Sequence, residues 1–146
     1  MPCDFETART ETMTLFNDAW SAPGESADIP VKWPNVASDL DQTQVDDTNN
    51  APKWARFTME YTDGNGTSIG GGRWQFDGLI TFEIYVPTGD NDKLALRLAK
   101  IIVNAQRNIT TAGGVEFHRI RPRIVGNEGL WYRVDVLSEF KHIEGV

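Results

Sequence analysis

Between Asp4 and Trp20 the apolar residues Phe5, Ala8, Leu15, Phe16, Ala19 and Trp20 return at three- and four-residue spacings, which collects their side chains on one side of a helix. Asp4 stands where an N-cap is needed. Pro23-Gly24 supplies the stop, proline because it lacks a donor and glycine because it tolerates positive φ. Ile29, Val31 and Trp33 then alternate with other residues to give a short strand. Pro30 and Pro34 assign it to a sheet edge, where a missing ladder donor does no harm. From Asn35 to Pro52 the periodicity is lost, and Asp39, Asp41, Asp46 and Asp47 occur with no basic residue among them. That segment reads as a long solvated loop.

Alternation returns at Ala55, Phe57, Met59 and Tyr61, with Trp54, Arg56, Thr58 and Glu60 on the other face. After a glycine-rich stretch from Asp63 to Gly72, the run from Arg73 to Val86 places Ile80, Phe82, Ile84 and Val86 on one face. Leu79, Thr81, Glu83 and Tyr85 take the other. The two runs predict a long hairpin with Asp63 to Gly72 at its tip. Pro87-Thr88-Gly89-Asp90 breaks the strand. Leu94, Leu98, Ile101, Ile102 and Ala105 then define a second helix, with Asp90 and Asp92 near its positive end and Gly113-Gly114 as its terminator. Val115 to Val125 and Leu130 to Phe140 flank the turn Gly126-Asn127-Glu128-Gly129 and predict a second hairpin. The order α-β-β-β-α-β-β, with mostly hairpin-connected strands, predicts an α+β domain of two layers, a mainly antiparallel sheet with both helices on one face.

Length and composition agree with one such domain over residues 1–146, 40% of them apolar. A chain of this size buries roughly 68–70% of its unfolded surface, so it needs no disulfide or metal to fold. Cys3, the lone cysteine, could not close a disulfide internally. With no apolar stretch behind Met1, the expectation is synthesis and folding in a reducing cytoplasm. The apolar runs Leu79 to Val86 and Leu94 to Val103 carry Glu83, Arg97 and Lys100 and fall well short of the ~20 residues of a membrane span. A formal net charge of −7 argues against a broad embrace of nucleic acid, whose affinity comes from lysine and arginine on phosphates. An acidic protein can still surround DNA if its task is to let the duplex slide past.

Candidate chemistry is sparse. Gly64, Gly66, Gly70, Gly71 and Gly72 lie between two strands, whereas a phosphate cradle needs a helix N-terminus behind it, and Ile69 occupies the place of the third glycine. Asp39-x-Asp41 begins like a calcium loop, but Gln44 stands at the turn-glycine position and Asn50 at the bidentate-glutamate position. His118, His142 and Cys3 have neither a nucleophile elbow nor metal-ligand spacing around them. No catalytic residue, cofactor or metal is therefore expected. Arg119, Arg121 and Arg123 form the strongest polar feature: two apart on a strand, they put three guanidinium groups on one face, with His118 and Ile120 on the other. That stripe either pairs with Asp135 or Glu139 on the adjoining strand or meets an acidic surface of a neighbouring subunit.

Phe5-Glu6-Thr7-Ala8-Arg9, Ile29-Pro30-Val31-Lys32-Trp33-Pro34-Asn35, Gly78-Leu79-Ile80 leading to Val86-Pro87-Thr88-Gly89, and Gly126-Asn127-Glu128-Gly129-Leu130-Trp131-Tyr132 occur in that order along nearly the whole chain. In this arrangement the chain resembles the tail-terminator (tail-completion) proteins of long-tailed bacteriophages. The motifs are packing and turn residues rather than catalytic ones. The resemblance implies a structural virion protein: a homohexameric ring that caps a finished tail tube, halts its polymerisation and presents its other face to the head-completion proteins of the neck. A ring needs a heterologous interface that closes by rotation. The arginine stripe and the edge strand at Ile29, Val31 and Trp33 are the candidate subunit contacts. By analogy with such rings, the acidic loop bearing Asp39, Asp41, Asp46 and Asp47, or the tip bearing Asp63, Gly64, Asn65 and Gly66, is expected to face the lumen or the tube. There, negative charge would let DNA pass without specific binding.

Two alternatives remain open on the sequence. One is another neck or tail component, a head–tail joining or tube protein. The other is a small-molecule-binding module or enzyme whose pocket is lined by Trp54, Trp74 and Trp131.

Overall fold

The computed structural model describes residues 4–34, 53–66, 72–88 and 92–145. Helix α1 (Phe5–Ser21) starts where Asp4, in extended conformation, accepts the Thr7 N–H on Oδ1 at 2.7 Å. It ends at Ala22, which is extended, as the residue before a proline prefers. Its buried stripe is Ala8, Thr12, Phe16 and Trp20, each four residues from the last. Phe5, expected in that stripe, is instead 47% exposed.

The strands are β1 (Val31–Lys32), β2 (Trp54–Gly66), β3 (Arg73–Pro87), β4 (Glu116–Glu128) and β5 (Trp131–Gly145), with helix α2 (Asp92–Gln106) between β3 and β4. They form one sheet in the order β1-β2-β3-β5-β4. Every pairing is antiparallel except β1 with β2. This is the two-layer α+β order read from the sequence, with β1 on the edge that its prolines require. The indole N–H of Trp20 donates to the Ile29 carbonyl at 2.9 Å, and the Ala55 N–H to the Pro30 carbonyl at 3.0 Å, tying α1 and β1 to the sheet.

One face of the sheet carries the core. Phe16 of α1 meets the rings of Phe57 and Phe82, and Trp20 meets Phe82 at 5.0 Å. Ala95, Leu98, Ile102 and Val103 of α2 are buried in the same cluster as Ile80, Ile84, Val86, Val134, Val136 and Phe140. Alternation along the strands places these sheet residues together.

Several boundaries differ from the sequence expectation. Helix α2 stops at Gln106, ahead of Gly113-Gly114. Asn108 takes the left-handed conformation (φ 56) that glycine would otherwise supply, and asparagine is among the few residues that accept it. Gly126 to Glu128 belong to the β4 ladder, and the turn narrows to Gly129-Leu130, with Gly129 at φ 63. Likewise Asp63, Gly64, Asn65 and Gly66 are not at a loop tip: after a bulge between Tyr61 and Asp63 they pair with Asp77, Phe76, Gln75 and Trp74. The ladder continues because β3 extends to Arg73 and offers them partners. β5 runs to Gly145 and is paired on both sides, between β3 and β4.

Gly78 marks the tightest point of the central ladder. A methyl group there would run into the Glu60 carbonyl and stand 2.5 Å from the Phe140 ring. Gly78→Ala is expected to lose roughly 3 kcal/mol of stability through overpacking against backbone. Gly66→Ala, where nothing lies within 4 Å, should stay within about 0.5 kcal/mol. Urea unfolding of the two variants checks the contrast.

Candidate functional site

Both described helices pack on one face of the sheet, and a row of charge crosses the other. Register places Arg56 of β2 opposite Glu83 of β3, Glu83 opposite Asp135 of β5, and Asp135 opposite Arg123 of β4. Two carboxylates therefore face each other at the centre of the sheet, an arrangement that repels. Arg133, two residues along β5, resolves it by reaching both: its guanidinium lies 2.8 Å from Glu83 Oε1 and 2.8 Å from Asp135 Oδ1. Arg56 adds a two-pronged contact to Glu83, with Nη2 at 2.7 Å from Oε1, and Arg123 Nη2 donates to Asp135 Oδ2 at 2.7 Å. The Tyr85 hydroxyl donates to Glu83 Oε1 at 3.0 Å.

Although neither described helix covers them, Glu83 is 5% exposed and Asp135 is fully buried. Arginine stems and an aromatic cluster supply the cover. Trp54 stacks on Tyr85 at 4.0 Å with an interplanar angle of 2°, Trp131 meets Trp54 edge-on at 6.0 Å, and Arg133 lies over the Tyr85 ring. Burial would raise the Glu83 carboxyl, but Arg56, Tyr85 and Arg133 together outweigh it and hold its pKa below the ordinary 4.5. Burial, then the Glu83 charge, pushes the Tyr85 phenol up to about 12. Each carboxylate oxygen already accepts from a guanidinium group. The row works as a clamp across four strands, and a proton-transfer role for either acid would require breaking it.

The arginine stripe belongs partly to this clamp. Arg123 pairs with Asp135, and Arg119 sits 3.0 Å from Glu139, an ion pair without an aligned hydrogen bond. Both are the intramolecular pairings that the spacing allowed. Strict alternation fails, however, because Arg119 is a bulge residue at φ 52, in a register shift between His118 and Arg121. The extra residue reverses the faces. His118 comes opposite Glu139 on the arginine side, against expectation, while Phe117 and Ile120 both pack towards the core. Arg121 faces Leu137 instead of a carboxylate, and its Nη1 donates to the Arg119 carbonyl at 2.8 Å.

The other sequence candidates divide. Ile29 is 8% exposed and its side chain packs into the core cluster of its own chain, while Val31 and Trp33 are half-buried beside it. Asp63 turns back on its own strand, accepting from the Gly64 N–H and the Asn65 amide, both at 2.9 Å. Asp39, Asp41, Asp46 and Asp47 lie outside the described residues. Trp54, Trp74 and Trp131 do not line one pocket: Trp54 and Trp131 pack together, while Trp74 is eleven residues from Tyr85 along β3, roughly 36 Å away at ~3.3 Å per residue. His142 is buried with Nε2 2.9 Å from the Tyr61 hydroxyl, and His118 is exposed. Among the described residues no group of three or more His, Cys, Asp or Glu could hold a metal, and no helix is long and apolar enough to cross a membrane.

Sequence reading did not identify Glu83 and Arg133 as a joint site. The available signal was a glutamate and an arginine on the polar faces of strands whose other faces are apolar. Their meeting depends on β3 pairing with β5, which local pattern does not specify.

No family model matches the chain, and no curated protein matches it. A solved structure known only by a locus designation superposes with a TM-score of 0.69 at 14% identity, covering 95% of each chain. That likeness concerns the fold, a two-layer α+β sheet-and-helix domain, and extends over nearly all of both molecules.

Glu83→Gln should weaken the clamp by about 2–4 kcal/mol, less than for a fully enclosed pair because Arg56 faces water. The depressed Glu83 pKa gives the sign of the pH effect. Its contribution is complete above the unfolded value near 4.5 and is lost as pH falls through the lower folded value. Denaturant melts from pH 7 down to pH 2 should show a shallower acid loss for Glu83→Gln than for the parent chain.

Proposed function

We propose that this chain is a phage tail terminator. In this proposal it is a structural subunit that forms a hexameric ring on the end of a tail tube, stops tube polymerisation and joins the tail to the neck. The observation that carries the proposal is the in-order resemblance from Phe5-Glu6-Thr7-Ala8-Arg9 to Gly126-Asn127-Glu128-Gly129-Leu130-Trp131-Tyr132 over nearly the whole chain.

Physical features support it. The buried acids of the open sheet face are saturated by arginine, which suits a rigid part. β4 is a 13-residue edge strand bearing Arg119, Arg121, Arg123 and the exposed Ile124 and Val125, a surface available to a neighbour. The net charge of −7 suits a passage through which DNA slides unbound. Its partners would be copies of itself, the tail-tube protein and head-completion proteins, and its location the virion neck after assembly in the host cytoplasm.

Adding the purified chain to elongating tail tubes should arrest growth and leave one discrete ring at each arrested end in electron micrographs. A tube protein would instead lengthen the tubes, and a chain that stays solitary beside them would refute the proposal.

A further inference from the structure

The ends of β2, β3 and β5 carry aromatic rings on the helix side of the sheet, beside the first turn of α1. Phe5 packs edge-on against Phe76 at 4.7 Å and against Tyr61 at 4.8 Å. Trp74 is 50% exposed. Trp74 and Glu144 are register partners across the β3–β5 ladder. Together Phe5, Gly72, Trp74, Phe76 and Glu144 line an open cavity of about 510 Å³.

Three aromatic rings and one carboxylate define the chemistry of a ligand. An apolar guest would cover the Glu144 charge without a partner, a costly burial. A cation satisfies both the carboxylate and the negative faces of the rings. A guanidinium group fits better than an ammonium group, because it is planar, stacks on aromatic rings, pairs with carboxylate through two N–H groups and is less strongly hydrated. Asp4 and Glu6 flank Phe5 and offset the positive end of α1. Arg73, next to Trp74, is directed to the other face of the sheet by alternation.

We propose that this cavity is a guanidinium-binding site and that its ligand is Arg121 of a second copy of the chain; the choice of ligand rests on the self-assembling function proposed above. Arg121 is exposed and is the one member of its stripe without a carboxylate partner among the described residues. It cannot reach the cavity of its own chain. Its register partner Leu137 is seven residues from Glu144 along β5, about 23 Å at ~3.3 Å per residue, and Arg121 lies on the opposite face of the sheet. The contact is therefore between different surfaces of successive copies, the geometry that closes into a ring when its rotation allows. Side-chain docking also fits the character of β4. The bulge at Arg119, Pro122 and three arginines make this edge poor for continuing a sheet into a neighbour.

A charge swap on the full chain tests the pair, with ring formation on tail tubes and sedimentation velocity as readouts. Arg121→Glu and Glu144→Arg should each weaken association about tenfold or more, and the double variant should recover to within about threefold of the parent. Trp74→Ala should also weaken it, while thermal unfolding shows that all four variants fold. Failure of the double variant to recover, or an unchanged ring with Trp74→Ala or Arg121→Glu, overturns the contact and leaves the terminator proposal standing. If the parent never associates, with or without tubes, the terminator proposal and Arg121 as ligand both fall. The cavity is then judged separately by titrating the monomer with N-acetyl-arginine amide while following the Trp74 indole resonance. A shift that Glu144→Gln reduces supports the guanidinium site, and no shift overturns it.

Discussion

Across the central ladder Glu83 and Asp135 stand directly opposite one another, and the sheet holds there because Arg133 reaches both acids while Arg56 and Arg123 close the row from either side. Like charges at that spacing would otherwise drive β3 and β5 apart, and burial would magnify the repulsion. The pairing ties four strands through side chains on the face opposite the two described helices. The Trp54–Tyr85–Trp131 cluster completes the arrangement by excluding water from the two acids while leaving the outer arginines wet.

This clamp and the apolar core restrain opposite sides of the same ladder. On the helix side, Phe16 and Trp20 press on Phe57 and Phe82. On the open side, the charge row fixes register, since slipping β5 by one residue would turn Arg133 and Asp135 into the core and carry Val134 out of it. A two-layer domain needs such a device, because hydrophobic burial alone restrains only one face of its sheet. The borders of this sheet differ in chemistry: an arginine-bearing edge at β4 and an aromatic end beside α1.

Those two borders are the surfaces on which an assembling function would depend. The edge at β4 is interrupted by its bulge and Pro122, so it presents guanidinium groups rather than an unbroken row of backbone donors. The aromatic end exposes Phe5 and Trp74, large apolar rings of the kind that anchor protein contacts. They lie on different parts of one sheet, so under the proposed assembly they would meet head to tail between identical subunits.

The sequence by itself determined the elements and their inward faces. Periodicity of 3.6 at Ala8, Phe16 and Trp20, and of two at Ile80, Phe82, Ile84 and Val86, follows from which side chains avoid water, and that preference is local to each segment. It also marked Asp4 as a cap and the prolines around β1 as signs of an edge, because capping and missing donors act within a few residues. Only the tertiary structure decided that β5 lies between β3 and β4, that Glu83 meets Arg133 and Asp135, and that a bulge at Arg119 turns His118 to the arginine face. It likewise decided that Asp63 to Gly66 stay in the ladder and that Phe5 lies against rings at the sheet's end. Each of these depends on contacts between residues distant in the chain, where register and strand order are selected by the whole packed sheet and not by any window of sequence.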